Sequence, residues 1–382
     1  MSIFWNYLVK MMEKRKRLNN SFGMITRYGF IRKSFAYIWG SSGTMARYYR
    51  LCRLCDDYEK RINNNQDDTT LEKYKKMRRR LLRYATRVTK RPFRNEKKRE
   101  YDEIWTAIVN GELDDEYSKE AQYLRNKGKL ELYPYDFSEK YQINEEQIKI
   151  DNRYPDLKYI VHEEKKIFFP NDEDKILMEK YRQLVLEQDT DSPHRYFEEL
   201  GFDCDVFVDV GSAEGIISLC FLKHAKDIYL LECDTKWIKA LEATFKENRC
   251  DYSNIHIIKK YAGRFNNASE ITIDSLLQKY HDKDIVIKMD IEGMELDALY
   301  GSSKTMENNN CLFSCTTYHT NDAYDGILSF FKERGYRTST TKNYMLFIYG
   351  MMTLENGKYQ KIMPPYFRHG VIRAEKDFNN LK

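Results

Sequence analysis

The stretch VFVDVGSAEGIISL, residues 206–219, sets Asp209, Gly211 and Gly215 where an apolar run ends and a helical pattern begins. Gly211 lets the chain turn with no Cβ in the way. Gly215 lets the next helix start close to the strand, and the N–H groups of that helix then face a polar ligand. Ser212, Ala213 and Glu214 complete the loop. The next apolar run, IYLLECD, ends in Glu232, 23 positions after Asp209. A carboxylate there can accept hydrogen bonds from both hydroxyls of a ribose. The pattern is D-x-G-x-x-x-G, not the tighter G-x-G-x-x-G that cradles a pyrophosphate. That favours S-adenosylmethionine over NAD. The plainer reading is a tight turn beside a surface glutamate. A third run, DIVIKMDIEGMEL, delivers Asp290, Glu292, Gly293 and Glu295 at one strand end. Acids at the start of a helix are also favoured by its dipole. Asp290 and Glu292 are therefore the sharper candidates for chemistry.

These residues need strands to deliver them. From about residue 204, apolar runs alternate with helical patterns: DVFVDV, DIYLLE, IHIIKK, DIVIKMD and CLFSCTTY are read as strands. The helices between them are read from AEGIISLCFLKHA, TKWIKALEATFKEN, IDSLLQKY, GMELDALYGSSKTME and AYDGILSFFKERG. YRTST and NYMLFIYG are read as late strands. Such alternation predicts a doubly wound, mostly parallel α/β sheet. Its ligands sit beyond the carboxyl ends of the strands, where strand order reverses. LKYIVHEEKKIFFPND predicts a hairpin, and DEDKILMEKYRQLVLEQ a helix with an acidic first turn.

Charge is uneven along the 382 residues. Residues 1–100 hold 27 Lys+Arg against 9 Asp+Glu, and the remainder holds 37 against 50. The sequence therefore reads as a basic, mainly helical domain over 1–150, a connecting segment over 151–203, a catalytic domain over 204–350 and an extension over 351–382. LEKYKKMRRRLLRYATRVTKRPFRNEKKRE, residues 71–100, reads as an amphipathic helix with a basic face, broken near Pro92. The basic part suits an anionic membrane surface, where each cation contributes about 1 kcal/mol. It also suits a partner protein, and less well the phosphates of nucleic acid. The eight cysteines match no secreted disulfide framework. Cys52-x-x-Cys55 has no second pair, so no metal is expected there. No signal peptide or membrane-spanning run is evident. The expectation is a cytoplasmic protein, peripheral at the inner membrane surface if the basic part binds lipid.

FVDVGSAEG, YLLECD, TIDSLL and IKMDIEGMELDALYGS, taken in order, resemble the FkbM-type methyltransferases, a class I family dependent on S-adenosylmethionine. LEQDTDSPHRY and CTTYHTND match a bacterial branch of that family. The resemblance covers roughly residues 155–350. It implies a class I methyltransferase-like sheet and O-methylation of a sugar hydroxyl in a bacterial glycan or related small metabolite. By it, Asp209, Gly211, Ser212, Ala213, Glu214, Gly215 and Glu232 hold the cofactor. Tyr261 or Ala262 flanks the adenine. Asp290, Glu292 and His319 surround the transferring methyl group.

A sugar hydroxyl is a poor nucleophile, so a base within hydrogen-bond reach helps. His319 is the first choice and Asp290 the second. His194 and Arg195, in SPHRY, are expected to close over the cofactor or grip an anionic acceptor. An amino-methyltransferase of bases would carry an aromatic Pro-Pro motif after the fourth strand, where this chain has DIEG. A ribose methyltransferase, or a scaffold that keeps the fold without the chemistry, is the alternative.

Overall fold

The computed structural model describes residues 100–141, 144–248, 252–347, 364–376 and 378. The chain divides into two compact units, Met1–Glu100 with Gly350–Lys361 and Tyr101–Tyr349 with Ile362–Lys382. All but Glu100 of the first unit lies outside the described residues. So do residues 71–99 of the basic helix expected over 71–100, and the Cys52-x-x-Cys55 pair. Of the eight cysteines, Cys204, Cys220, Cys233, Cys311 and Cys315 are described, and all are free thiols.

The second unit opens with helical residues 101–109 and helix α1, Asp114–Lys127. Ile104, Ile108, Tyr117, Ala121 and Leu124 pack against Leu346 and Phe367. Residues 101–141 are thus built into the second unit. The hairpin forms as the sequence predicts: β1, Leu157–His162, pairs antiparallel with β2, Lys165–Pro170. Helix α2, Asp174–Glu187, follows.

The strands then run in chain order as β3, Cys204–Val210; β4, Ala225–Leu231; β5, Ile255–Ile258; β6, Tyr261–Ala262; β7, Glu270–Ile271; β8, Asp284–Met289; β9, Asn310–Thr316; β10, Arg337–Thr340; β11, Met345–Leu346; β12, Phe367–Arg368; and β13, Val371–Lys376. Helices α3, Ile216–Cys220; α4, Thr235–Glu247; α5, Ile273–Leu276; α6, Glu295–Tyr300; α7, Ser303–Asn308; and α8, Ala323–Glu333, lie between them. Seven strands form the main sheet in the order β10-β13-β9-β8-β3-β4-β5. β5, β4, β3, β8 and β9 are mutually parallel, while β13 runs antiparallel to both β9 and β10.

Both faces of the sheet are buried, as a parallel sheet requires. On β3, Phe207 points into a core with Phe221, Leu241 and Phe245. Val206, Val208 and Val210 point the other way, toward Ile285, Ile287 and Phe313. Each such buried side chain contributes about 1.5–3 kcal/mol. Three expectations change. The helix after the glycine loop is five residues long, not thirteen. GMELDALYGSSKTME forms two short helices, α6 and α7. VIRAEK, in the stretch read only as an extension, is β13, a strand inside the sheet.

Candidate functional site

Strand order reverses between β3 and β8, which lie side by side with Val210 opposite Met289. Gly211 follows one strand and Asp290 the other, so the loop and the acids meet at the carboxyl edge, where open α/β sheets bind ligands. A Cβ on Gly211 would lie 2.0 Å from the Asp290 carbonyl oxygen, and the residue has φ +82°. Only glycine fits. Gly215, at φ +79°, faces α4, where a Cβ would come within 2.6 Å of Leu241. It therefore seats the loop on that helix rather than bringing α3 close to its strand.

The loop is tied down on every side. Gly211 and Ser212 donate their N–H groups to the Leu231 carbonyl at 3.0 and 3.1 Å. The Ser212 hydroxyl donates to the Asp209 carbonyl at 2.8 Å. The Ala213 N–H, at φ +43°, donates to Glu232 Oε2 at 3.1 Å. Glu232 Oε1 accepts from the N–H groups of Cys233 and Asp234, each at 2.8 Å. One carboxylate thereby links the loop after β3 to the start of α4.

Asp209 is spent internally. Its Oδ2 accepts from the Ser218 hydroxyl at 2.5 Å, and Oδ1 lies 3.0 Å from Lys288 Nζ. Lys288 also donates to the Gly211 carbonyl at 2.7 Å. Burial works against the lysine's charge, but Asp209 and Asp290 hold its pKa above the ordinary value.

Below the loop lies a cavity of 140 Å³, lined among others by Glu187, Tyr196, Asp209, Glu214, Lys288 and Asp290. Four carboxyls face one ammonium there. Burial pushes Glu187 up to about 8, helped by Asp290 and Glu214. Burial likewise pushes Glu214 up to about 7. Glu214 is 6% exposed, and its carboxyl accepts from its own backbone N–H.

Asp290 is the hub. Its Oδ2 accepts from the Tyr196 hydroxyl at 2.6 Å. Its Oδ1 makes only long contacts, 3.4 Å to the Tyr318 hydroxyl and 3.5 Å to the Thr316 hydroxyl. Burial opposes its charge, yet His319, His194, Lys288 and Tyr196 together hold it at about 2. His319 Nδ1 lies 2.9 Å from Glu295 Oε1. Burial would lower this histidine, but Glu295, Asp290 and Glu292 outweigh it and raise it to about 9. Glu295 also accepts from the Ile291 N–H at 3.0 Å, the Gly293 N–H at 3.3 Å and the Thr316 hydroxyl at 3.1 Å. Glu292, at φ +59°, carries its carboxylate at the surface.

The structure thus brings Asp209, Gly211, Ser212, Ala213, Glu214, Glu232, Asp290, Glu292 and His319 to one edge of the sheet. His194 joins them: its Nε2 lies 2.9 Å from the Tyr318 hydroxyl and 3.6 Å from Asp290 Oδ2. Burial holds it at about 4, so it is neutral. Arg195 does not join: its guanidinium donates to the Glu198 carbonyl at 2.5 Å and does not line the cavity. Tyr261 is 60% exposed, whereas Ala262 is buried in the core beneath the sheet. Glu187, Tyr196, Lys288, Thr316 and Tyr318 escape the sequence reading. Only Lys288 leaves a signal, a lone cation inside the apolar run DIVIKMD.

Residues 230–338 match the family model described as the methyltransferase FkbM domain. The match begins within β4, so it includes Glu232, Asp290 and His319 but not Asp209 or the 211–215 loop. With the sheet order above, it defines a class I methyltransferase-like fold. The chain carries an FkbM methyltransferase domain over that segment. Among solved structures it is similar to the methyltransferase FkbM from Methylobacillus flagellatus KT, at 15% identity and a TM-score of 0.35, over 50% of this chain and 54% of that one. It is also similar to a precorrin-6y C5,15-methyltransferase from Geobacter metallireducens GS-15, at 14% identity and a TM-score of 0.29, over 46% and 82% of the two chains. An rRNA methylase from Streptococcus thermophilus is similar at 11% identity and a TM-score of 0.27, over 46% and 89%. The chain thus spans about half the length of the Methylobacillus protein. No curated protein matches the sequence. Among the described residues, no helix is long and apolar enough to cross a membrane.

Proposed function

We propose that the protein is an S-adenosylmethionine-dependent O-methyltransferase acting on a hydroxyl of a sugar or related small metabolite. The observation that carries this reading is the acidic cavity at the strand-order switch. The cofactor's amino-acid end carries an ammonium, a carboxylate and a nearby sulfonium. Four carboxyls with one lysine complement that charge set. The buried Glu214 carboxyl, held only by its own backbone N–H, has acceptor capacity left for a ligand. At 140 Å³ the cavity takes only that end. Small-molecule sites are usually about 300–1,000 Å³, so the adenosyl part lies outside, toward Glu232 and the exposed Tyr261.

When bound, the cofactor supplies an electrophilic methyl group. The chain's residues do the rest. Tyr196 and Tyr318 hold the Asp290 carboxylate, which accepts the hydrogen bond of the acceptor hydroxyl and aligns its oxygen. Alignment is the larger part of such catalysis. His319, first choice as the base, is charged at neutral pH and has no free lone pair, which moves Asp290 ahead of it. As the oxygen–methyl bond forms, the methyl–sulfur bond breaks with its electron pair going to sulfur, and the hydroxyl proton passes to Asp290 and then to water.

Calorimetric titration with S-adenosylmethionine and its demethylated product tests cofactor binding. Transfer of a tritiated methyl group to bacterial glycan extracts tests the reaction. Absence of binding to either nucleoside would favour a scaffold. Label appearing on RNA instead would favour ribose methylation.

A further inference from the structure

The two nitrogens of His319 are held differently. Nδ1 lies 2.9 Å from Glu295 Oε1, a hydrogen bond. Nε2 makes no hydrogen bond among the described residues. It lies 3.5 Å from Asp290 Oδ1 and 3.8 Å from Glu292 Oε2. These distances are long for N–H···O bonds, whose usual range is about 2.7–3.2 Å. Asp290 and His319 belong, with Glu295, to a group whose ligand atoms lie within 4.8 Å of one another, which suits a shared metal ion; Glu292 stands outside that group and joins it only by turning its exposed side chain inward. Ligands about 2.1 Å from one centre lie roughly 3–4 Å from each other. The ring is 4% exposed, so Nε2 is aimed rather than free to wander.

The surroundings fit the same purpose. Metal-binding histidines donate their other ring N–H to a carboxylate, which is itself fixed by hydrogen bonds. Glu295 is such a carboxylate, held by two backbone N–H groups and Thr316. Asp290 Oδ2 is taken by Tyr196, which leaves Oδ1, with only its long contacts, facing Nε2. Three carboxylates around one imidazole leave surplus negative charge that a dication offsets. Glu292, on a surface-exposed side chain, can close onto the ion from the solvent side.

We propose that Asp290 Oδ1, Glu292 Oε2 and His319 Nε2 form a divalent metal site, with Glu295 as the residue that orients His319. One imidazole and two carboxylates suit a first-row ion such as Mn2+ or Zn2+. Three protein ligands leave positions open for oxygens; with the ion bound, Asp290 Oδ1 is a ligand and the ion, in place of that carboxylate, orients the acceptor oxygen, which would favour an acceptor presenting neighbouring hydroxyls. The ion takes the place of the Nε2 proton, which is released to solvent.

The test uses the full chain, freed of metal with a chelator, and Mn2+ alone without cofactor. It is therefore independent of whether the protein transfers methyl groups. Free Mn2+ is followed by electron paramagnetic resonance. One tightly bound Mn2+ per chain is expected, with nitrogen modulation in the pulsed spectrum. Glu292→Gln should weaken binding at least tenfold, and Glu295→Gln by about 10–100-fold. His319→Asn should remove the nitrogen signal. Glu307→Gln, a surface control, should change nothing. Glu292 is exposed, so its variant folds normally. The proposal is overturned if no Mn2+ binds at millimolar free ion, or if Glu292→Gln and His319→Asn bind as the parent does. Either result would mean that Asp290 and His319 form an ordinary ion pair.

Discussion

Asp209 and Lys288 sit opposite each other on adjacent parallel strands, 3.0 Å apart and almost fully buried. The pair stitches β3 to β8, and Lys288 extends the link to the loop through the Gly211 carbonyl. Removing one partner leaves the other charge stranded, which typically costs about 3–5 kcal/mol. Lys288→Met should therefore lower the unfolding free energy by that amount in urea titration. Adding Asp209→Asn should restore part of it. A double variant no more stable than Lys288→Met would show that the pair is not coupled.

Glu295 should set the titration of His319. In metal-free protein, Glu295→Gln should bring the histidine down from about 9 toward its ordinary value. Proton NMR of the ring reads this directly. The stability consequence has a definite sign. A histidine raised above its unfolded value of about 6.5 contributes fully below that pH, and the contribution is lost as pH rises through about 9. At 1.36 kcal/mol per unit this amounts to about 3 kcal/mol. The parent should lose thermal stability between pH 7 and pH 9, and Glu295→Gln should lose less over that window. Equal alkaline losses in both proteins would remove the assignment.

Cofactor binding should release protons. Glu187 and Glu214 stand at about 8 and about 7 in the protein alone, so both hold protons part of the time at neutral pH. A cationic ligand in the cavity favours their charged forms. Calorimetry with S-adenosylmethionine in buffers of different ionisation heat should show net proton release at pH 7. Glu214→Gln should reduce that release and weaken binding about tenfold. A binding heat independent of the buffer would count against the cavity as the cofactor's seat.

Gly211→Ala should be severe. The new methyl would meet the Asp290 carbonyl at 2.0 Å, in a backbone conformation that alanine resists. A loss of about 2–4 kcal/mol is expected, together with loss of S-adenosylmethionine binding. A variant that binds the cofactor like the parent would show that the loop can retreat from β8.

Glu232→Ala removes an acceptor shared by three backbone N–H groups. Hydrogen bonds to a charged group contribute about 1.5–3 kcal/mol each when buried and less when partly wet. Cofactor affinity should fall more than tenfold in calorimetry, while Glu232→Gln, which keeps one oxygen, should fall less. An unchanged affinity in both would place the ribose elsewhere.

Part of this was legible in the sequence because it depends on local rules. The glycine spacing marks the turn after β3, and alternating apolar runs mark β3, β4, β8 and β9. The carboxylates Glu232 and Asp290 stand at strand ends where no packing role explains them. What the sequence hides is long-range. Glu187 and Lys288 look like ordinary members of a helix and a strand until the sheet brings them to one cavity. Glu295 reads as a helix-start acid, and its contact with His319 spans 24 positions. The choice between His319 and Asp290 as base also needs the three-dimensional charge set, because burial and neighbours move them in opposite directions. VIRAEK is too short and too charged to signal a strand held between two others.

That last strand has a consequence for biosynthesis. β13 lies between β9 and β10, although it is the last of the three to be synthesised. Until residues 371–376 leave the ribosome, β10 has no neighbour to zip onto, and one border of β9 stays bare. The nascent domain must therefore wait, partly open, with the edge nearest His319 and Thr316 unfinished. A chain stopped before residue 371 would lose this clasp and expose sticky β-edges to other chains, a clear target for chaperones and quality-control proteases.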